Sequence, residues 1–574
     1  MLPNLRSRRL AFGLLIAATT VVLAGWLFSI LANVGFGILS MLLFVVFLIY
    51  TPSLAIPFWN SVVGFVLIHG TRDALDVVCH AAKRAGADDP IVGRVAVAMA
   101  LHDEDATRAF AHFRTVMAAL DRTGHGHAFD YHVLSDSSDT DVMAIEEREF
   151  QTWCAEGTNA DRLFYRRRAN AEGFKGGNVY DFCENEGKKY EILVLLDADS
   201  LMSGDRIINM VQIMQANPDL GLLQSLSVGL PSSSLFARVF QFGHRQAMRC
   251  FSMGATWWQG DSCHTWGHNC AMRVRPFVEY CRPLKLTGEP PFGGPMICHD
   301  QIEAALLHRA SYAIRFLPME GGSYEGNPPA LPEFLARHVR WCQGNLQNLR
   351  LLNMPKLTAL SRFHLAYVAL KFIGAAAMVA LVMLAVIAAA AWPDNASNTN
   401  SLHVLYFTCL LMYFAPRLLG ITDAMIRFRR AYGGAARLLT GGFAEIILTF
   451  LLAPVAMVAA TSCALTLPLG YALRWDPQKR DSYRVSWADA FAGLWHATAL
   501  GVVLLLALMI AAPGSILWFV PFLASLILAV PFAVLTSSPG LGACAARWKL
   551  FATPEEIETP AEIANILPVL LRMH

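Results

Sequence analysis

The stretch EILVLLDADS carries the densest chemistry in the chain. Its apolar run Ile192 to Leu196 reads as a buried strand whose end presents Asp197 and Asp199 one residue apart. Extended chain puts two such side chains on one face. Like charges so placed repel unless a cation lies between them. A hard divalent ion bridging carboxylates to substrate phosphates meets that need. A D-x-D at a strand end also serves as a plain solvated turn, so the pair gains meaning only from its company.

That company is spread through the middle of the chain. HVLSDSSDTD (132–141) is another strand ending in acid, with Asp136 placed to meet a nucleotide and Asp139 and Asp141 reading equally as turn or cap residues. FKGGN (174–178) sets Lys175 beside two glycines, offering close backbone amides and an ammonium to a diphosphate, or simply a turn. In GGPMICHDQIEAALLHRA (293–310), His299-Asp300 precedes a helix with Glu303 at the capping-box distance. Asp300 therefore reads either as an N-cap, stabilising by about 1 kcal/mol, or as a general base at a helix start. SCHTWGHNCAMRV (262–274) is a polar loop whose His268 and Asn269 either line an acceptor site or merely pack. In RHVRWCQGN (337–345), Arg340 can pair with phosphate and Trp341 can stack on a sugar; a lone RW is otherwise an amphipathic anchor.

The elements that position these residues alternate. RVAVAMAL (94–101) has strand length, and the segment after it spaces Phe110, Phe113, Val116, Met117 and Leu120 as one helical face. FDYHVLSD (129–136), an Arg-rich stretch (161–178) and YEILVLLDADS (190–200) follow. Acid-ended strands repeated after helices describe an α/β doubly wound, Rossmann-like sheet, in which ligands bind beyond the carboxyl ends of the strands. Neither G-x-x-x-x-G-K-[ST] nor a helix-opening G-x-G-x-x-G occurs.

Composition sets the surroundings. Of 574 residues, 55% are hydrophobic and 16% charged, with a net charge of +2 and a mean hydropathy of +0.41. This excludes a disordered or nucleic-acid-coating protein. Residues 10–71, 372–393, 395–416, 446–473 and 490–546 contain no Asp, Glu, Lys or Arg, giving room for about eight crossings at roughly 20 residues each. The chain divides into 1–71 with transmembrane helices 1–2, a soluble α/β domain at 72–355, helices 3–8 with interfacial segments at 356–536, and a tail at 537–574. Pro52 and Pro57 leave the form of the second crossing open, and 441–473 reads as two short crossings or one crossing plus an interfacial helix. A final hairpin covers 492–536, broken at Pro513-Gly514. Arg6, Arg8, Arg9, Arg427, Arg429, Arg430, Arg437, Arg474, Lys479, Arg480, Arg484, Arg547 and Lys549 flank the crossings, whereas loop 393–400 has only Asp394. The positive-inside rule then puts both termini and the domain in the cytoplasm. Nine of twelve cysteines fall in that domain and no C-x-x-C occurs, so no disulfide framework is expected. The spacing around Cys263 and Cys270 fits no common structural-zinc pattern.

The order of these pieces, Asp136, D-A-D, H-D and R-x-x-R-W between membrane helices, resembles the processive family 2 glycosyltransferases, and most closely the OpgH (MdoH) family of membrane glucosyltransferases that build osmoregulated periplasmic glucans. FYRRRANAEGFKGGNVYDFC, LVLLDADSLMSGDRI, WGHNCAMRVRPF, GSYEGNPPALPEF, RWCQGNLQN and the terminal RWKLFATPEE carry the likeness over about residues 90–574. Two motifs depart from the wider family: Arg337 replaces Gln in Q-x-x-R-W, and Cys298-His299-Asp300 stands for T-E-D. The resemblance implies a GT-A-like domain in the bacterial inner membrane that uses UDP-glucose for inverting transfer to a growing β-glucan, β-1,2-linked, with export across the bilayer. It assigns catalysis to Asp300, Arg340 and Trp341 and nucleotide-sugar binding to Glu104, Asp136, Lys175, Asn178, Asp197 and Asp199. Asp199 would ligate Mg²⁺ or Mn²⁺, and Trp341, His268 and Asn269 would meet the acceptor. Acyl carrier protein and a periplasmic glucan-modifying protein are implied partners, and 474–487 takes the place of a gating loop. The alternative within the class is a cellulose-, hyaluronan- or poly-N-acetylglucosamine-synthase-like enzyme. A transporter would need mid-membrane charges, which the uncharged runs do not supply, and a scaffold would leave the acidic and R-W pieces without a role.

Overall fold

The computed structural model describes residues 4–84, 86, 89–157, 159–392, 399–470 and 482–572. The loop residues 393–398, including Asp394, and residues 474–481 of the expected gating loop, with Arg474, Lys479 and Arg480, lie outside them.

The α/β domain is built on a seven-stranded sheet. Its strands are β1 (Val95–Leu101), β2 (Phe129–Ser135), β3 (Leu163–Arg167), β4 (Ile192–Asp197), β5 (Leu220–Ser225), β6 (Cys270–Arg273) and β7 (Ala313–Leu317), in the spatial order β7-β5-β6-β4-β1-β2-β3. β1 runs parallel to β2 and β4, whereas β6 runs antiparallel between β4 and β5. The sheet is thus mixed, one four-residue strand departing from the doubly wound pattern. β1, β2, β5 and all of β4 except Asp197 are buried, because helices cover both faces and leave no polar alternation.

We label the helices used below α1 (Leu5–Val34), α2 (Ile38–Gly70), α3 (Ala106–Arg122), α4 (Thr140–Glu156), α5 (Phe174–Asn185), α6 (Gly204–Ala216), α7 (Leu235–Gln259), α8 (Asp300–Arg309), α9 (Leu331–Gln347), α10 (Ala359–Ala391), α11 (Thr399–Arg427), α12 (Ala435–Thr466), α13 (Trp487–Ala511), α14 (Ile516–Ile527), α15 (Ala529–Thr536) and α16 (Ala561–Arg572). α3 shows how local sequence sets an element: Asp105 caps it by accepting from the Arg108 amide, and Phe110, Phe113, Val116, Met117 and Leu120 are all buried in the core on one sheet face.

Six helices are long and apolar enough to cross a membrane, and the bent pair around Leu528, folded by 56°, makes up to seven among the described residues. The expected count was about eight. α2 is one continuous helix with Pro52 and Pro57 inside it, since the freed backbone groups of a helix packed among helices find other partners. The segment expected at 441–473 is a single helix, α12. Near its start Gly441 lies against Phe242, and Glu445 against Gly243. Near its end the Cys463 thiol donates to the Val339 carbonyl at 3.7 Å and the Cys342 thiol to that of Ala460 at 3.8 Å. Its start thus rests on α7 and its end on α9. The tail returns to the domain as well: Glu555 pairs with Arg245, Glu556 with Arg238 and Glu562 with Arg122. The candidate spans are α1 and α2 before the domain, then α10, α11, α12, α13 and the bent pair after it.

Candidate active site

Sheet register brings the strand-end acids together. Ser135 is opposite Leu101 and Asp197 opposite Ala100, so Asp136 and Asp197 flank the end of β1. Asp136 is buried and held by Arg168 through two hydrogen bonds, Nε to Oδ1 at 2.7 Å and Nη2 to Oδ2 at 2.6 Å. Such a planar fork fixes a carboxylate in orientation as well as charge. Arg168 also donates to the carbonyls of Glu172 and Phe174, joining Asp136 to the start of α5. The Arg-rich stretch hid this residue, because a run of charge ordinarily reads as a solvated face.

Beyond β1, Glu104 accepts from the His102 amide at 2.5 Å. Asp103, in the left-handed region at φ 58°, accepts from Ser138 and from the Asp139 amide. These contacts set the loops at the ends of β1 and β2. Asn178 does not present its amide to a ligand. It is buried, donates to the Leu134 carbonyl at 3.0 Å and accepts from Arg166 at 2.5 Å. Its amide ties α5 to β2.

Lys175 lies between two carboxylates. It is ion-paired with Asp197 and donates to the Gly267 carbonyl at 2.6 Å. Burial works against its charge, but Asp197 and then Asp300 outweigh it and hold the ammonium above its usual range. Asp300 lies on the other side of Gly267: a Cβ there, at φ +71°, would stand 1.9 Å from Asp300 Oδ1. Only glycine fits between the two groups. Asp197, Lys175 and Asp300 thus converge, although they come from β4, α5 and α8.

The expected capping box does not form. Asp300 is the first residue of α8, its N-cap is His299 without a side-chain cap bond, and Glu303 turns to His299 instead, Oε1 to Nδ1 at 2.8 Å. His299 Nδ1 also lies 3.3 Å from Asp300 Oδ1. Burial lowers the imidazole, yet Asp300 and Glu303 overcome it and push its pKa up to about 9. The ring fits because residue 176 is glycine; a Cβ there would come within 2.8 Å of it. The ligand atoms of His299, Asp300 and Glu303 lie within 4.8 Å of one another. The carboxylates of Asp197 and Asp199 are the hard-oxygen donors suited to Mg²⁺ or Mn²⁺. Asp199 is buried against Gly326, where a Cβ would come 2.9 Å from its Oδ2.

His268 Nε2 pairs with Glu325 at 3.1 Å, beside that same Gly326. Its neighbour Asn269 faces the protein interior. It is fully buried and donates to Ser227, Ser323 and the Tyr324 carbonyl. Asn269 fixes the loop that carries Gly267 and His268.

α9 brings Arg340 and Trp341. Burial, then Asp300, push the Cys298 thiol up to about 12, and Arg340 opposes the rise, which places the guanidinium in the field of the Cys298–Asp300 segment. A Cβ at Gly344 would strike Cys298 Sγ at 2.4 Å, so α9 lies directly on that segment. Trp341 is 45% exposed with Arg337 stacked over it at 4.8 Å. The other face of α9 is embedded in the bundle, with Cys342 and Leu346 packed among Ala369, Phe372, Ala460 and Leu467. Tyr483, in the described part of the expected gating loop, hydrogen-bonds Glu333 on α9.

Comparison with known proteins places this geometry. The family model of Glycosyl transferase family group 2 matches residues 192–419, from the strand bearing Asp197 into α11. Proteins named glucans biosynthesis glucosyltransferase H are 32% identical over 526 residues in Pseudomonas putida (88% of this chain, 61% of that protein) and over 580 residues in Cupriavidus pinatubonensis (96% and 66%). The chain spans a little under two thirds of the length of these relatives. Among solved structures, a mannosyltransferase from Pyrobaculum calidifontis in complex with GDP-Man and Mn²⁺ aligns at a TM-score of 0.42 and 14% identity, covering 71% of this chain and 99% of its own. Residues 192–419 therefore match the Glycosyl transferase family group 2 model, in a chain that carries six helices long and apolar enough to cross a membrane among its described residues and is similar along most of its length to the glucans biosynthesis glucosyltransferase H proteins.

Proposed function

We propose that the chain is a UDP-glucose-dependent, inverting glucosyltransferase that polymerises a β-glucan, β-1,2-linked, of the osmoregulated periplasmic class, and exports it between its membrane helices. The observation that carries this reading is the convergence of Asp197, Lys175 and Asp300 beside α9, a helix whose other face is embedded in the bundle.

In this reading Asp136, oriented by Arg168, and Asp197 hold the uridine side, with Glu104 shaping the loop beside them. Lys175 sets a cation at the diphosphate. Asp199 would hold Mg²⁺ or Mn²⁺, which when bound offsets charge on the departing UDP. Asp300 takes the proton from the acceptor hydroxyl as its oxygen attacks the anomeric carbon opposite the UDP. One carboxylate suffices because the leaving group is already good. Arg340 closes over the diphosphate, and Trp341 and His268 meet the acceptor sugar. Residues 474–487 act as a gate on α9, supported by the Tyr483–Glu333 bond.

The domain and both ends of the chain face the cytoplasm of a bacterial inner membrane. Arg8 and Arg9 support this side: they donate to the Val77 and Gln259 carbonyls, so the basic start of α1 lies on the domain. Acyl carrier protein and a periplasmic glucan-modifying protein are the partners this role implies. The test is radiolabelled UDP-glucose incorporation by membranes carrying the full chain, with Asp300→Asn as control. Incorporation that survives Asp300→Asn removes the proposed base. A product of another linkage moves the assignment to a cellulose-, hyaluronan- or poly-N-acetylglucosamine-type synthase.

A further inference from the structure

On the other side of α7 from the site, a cavity of about 600 Å³ opens where α2 and α11 end on the domain. That volume is in the range of small-molecule sites. Four arginines line it, Arg72, Arg245, Arg249 and Arg427, against the partly buried Glu320, the buried Asp423 and the rim residue Asp73.

The arginines are not equally occupied. Arg245 is paired with both Glu320 and Glu555. Arg249 lies 3.7 Å from Glu320 and 3.4 Å from Asp423, distances beyond a good hydrogen bond, and rests 4.5 Å over the Phe428 ring. Arg427 gives one N–H to the Ile68 carbonyl and is 4.0 Å from Asp423. Arg72, exposed at the rim, has no hydrogen-bond or ion-pair partner among the described residues. Three guanidinium groups with five donors each therefore share little more than Asp423. Gln246, 3% exposed, also lines the cavity, and its amide nitrogen has no hydrogen-bond partner. A half-buried guanidinium left without acceptors is costly, and Phe428 holds that of Arg249 flat rather than letting it swing to solvent.

We infer that this cavity binds a phosphate-bearing anion through Arg72, Arg249 and Arg427. A phosphate group supplies several acceptor oxygens to forked donors that Glu320 and Asp423 meet only at 3.4–4.0 Å. The cavity lies where membrane helices emerge, the level of lipid phosphates, and basic pockets between helix ends suit anionic headgroups. The same chemistry would take a soluble phosphate ester.

The test titrates the full chain in detergent with phosphatidylglycerol in one arm and inorganic phosphate at fixed ionic strength in the other, following its thermal melt. Wild type is expected to be stabilised saturably by at least one probe. Arg72→Gln, which disturbs no internal contact, should weaken the apparent affinity about tenfold, and Arg249→Gln/Arg427→Gln should weaken it further. Arg429→Gln/Arg430→Gln, outside the cavity, should change nothing. Stabilisation by the lipid alone assigns a headgroup site, and stabilisation by both probes a site open to soluble phosphates. No saturable shift with either probe, or one retained in Arg72→Gln and in the double variant, overturns the inference.

Discussion

Replacing Gly267 by alanine tests the site without touching any group proposed to do chemistry. The new methyl carbon would stand 1.9 Å from Asp300 Oδ1, about 1.5 Å inside van der Waals contact. Asp300 begins a helix and its side chain is short, so the carboxylate must rotate or α8 must shift. A base displaced by roughly 1 Å costs on the order of 100-fold in rate, or about 2.7 kcal/mol. The left-handed backbone at φ +71° adds about 1 kcal/mol of strain to folding. Steady-state incorporation from UDP-glucose should therefore lose about two orders of magnitude in kcat, while UDP binding by calorimetry changes less than about threefold. Gly267→Ala/Asp300→Asn should be hardly worse than Asp300→Asn alone, because both act through one carboxylate. A single variant within about threefold of wild-type kcat would refute the placement of Asp300 against this glycine.

Three further outcomes follow from the same geometry. Lys175→Met leaves Asp197 and Asp300 facing each other without their shared cation, so KM for UDP-glucose should rise at least about tenfold; an unchanged KM removes Lys175 from the diphosphate. Chelation with EDTA should abolish incorporation, Mg²⁺ or Mn²⁺ should restore it, and Asp199→Asn should raise the metal concentration required; activity indifferent to chelation would count against the Asp199 assignment. Glu303→Gln removes one of the two anions that raise His299. Because that pKa is higher folded, at about 9, than unfolded, near 6.5, its stabilisation is complete below about pH 6.5 and fades as pH climbs through 9. Melting of wild type and variant should differ most near pH 6 and converge by pH 10; a gap that widens upward contradicts the pairing.

The sequence made the strand ends readable because buried strands leave few polar positions, and acids stand out where such runs stop. Asp136, Asp197 and Asp199 fall where that reasoning puts them. β6 escaped it: CAMR is only four residues and follows a polar loop, and its pairing between β4 and β5 is decided by partners far along the chain. The capping-box spacing of Asp300 and Glu303 was real, but a neighbouring imidazole offered Glu303 a charged partner and won. Asn178 and Asn269 were marked as binding residues by their motifs, whereas burial turned their amides inward. α7, amphipathic and studded with Arg238, Arg245 and Arg249, shows helical periodicity but no motif, so its place beneath the bundle emerges only from the fold. The uncharged runs gave the existence of long apolar helices, not their partners: that α12 rests on α7 at its start and on α9 at its end emerges only from the fold.

The return of the tail has a consequence for how the molecule is made. Arg122 and Glu562 meet across 440 residues of chain, and Ile563 and Ile566 complete the apolar core that α3 begins. At about 5–20 residues per second the ribosome needs on the order of 20–90 s to travel that distance. Through that interval the nascent domain carries an uncovered greasy flank while its later helices are still being threaded into the bilayer. The α/β domain therefore closes its core only after the last hydrophobic segment has been delivered.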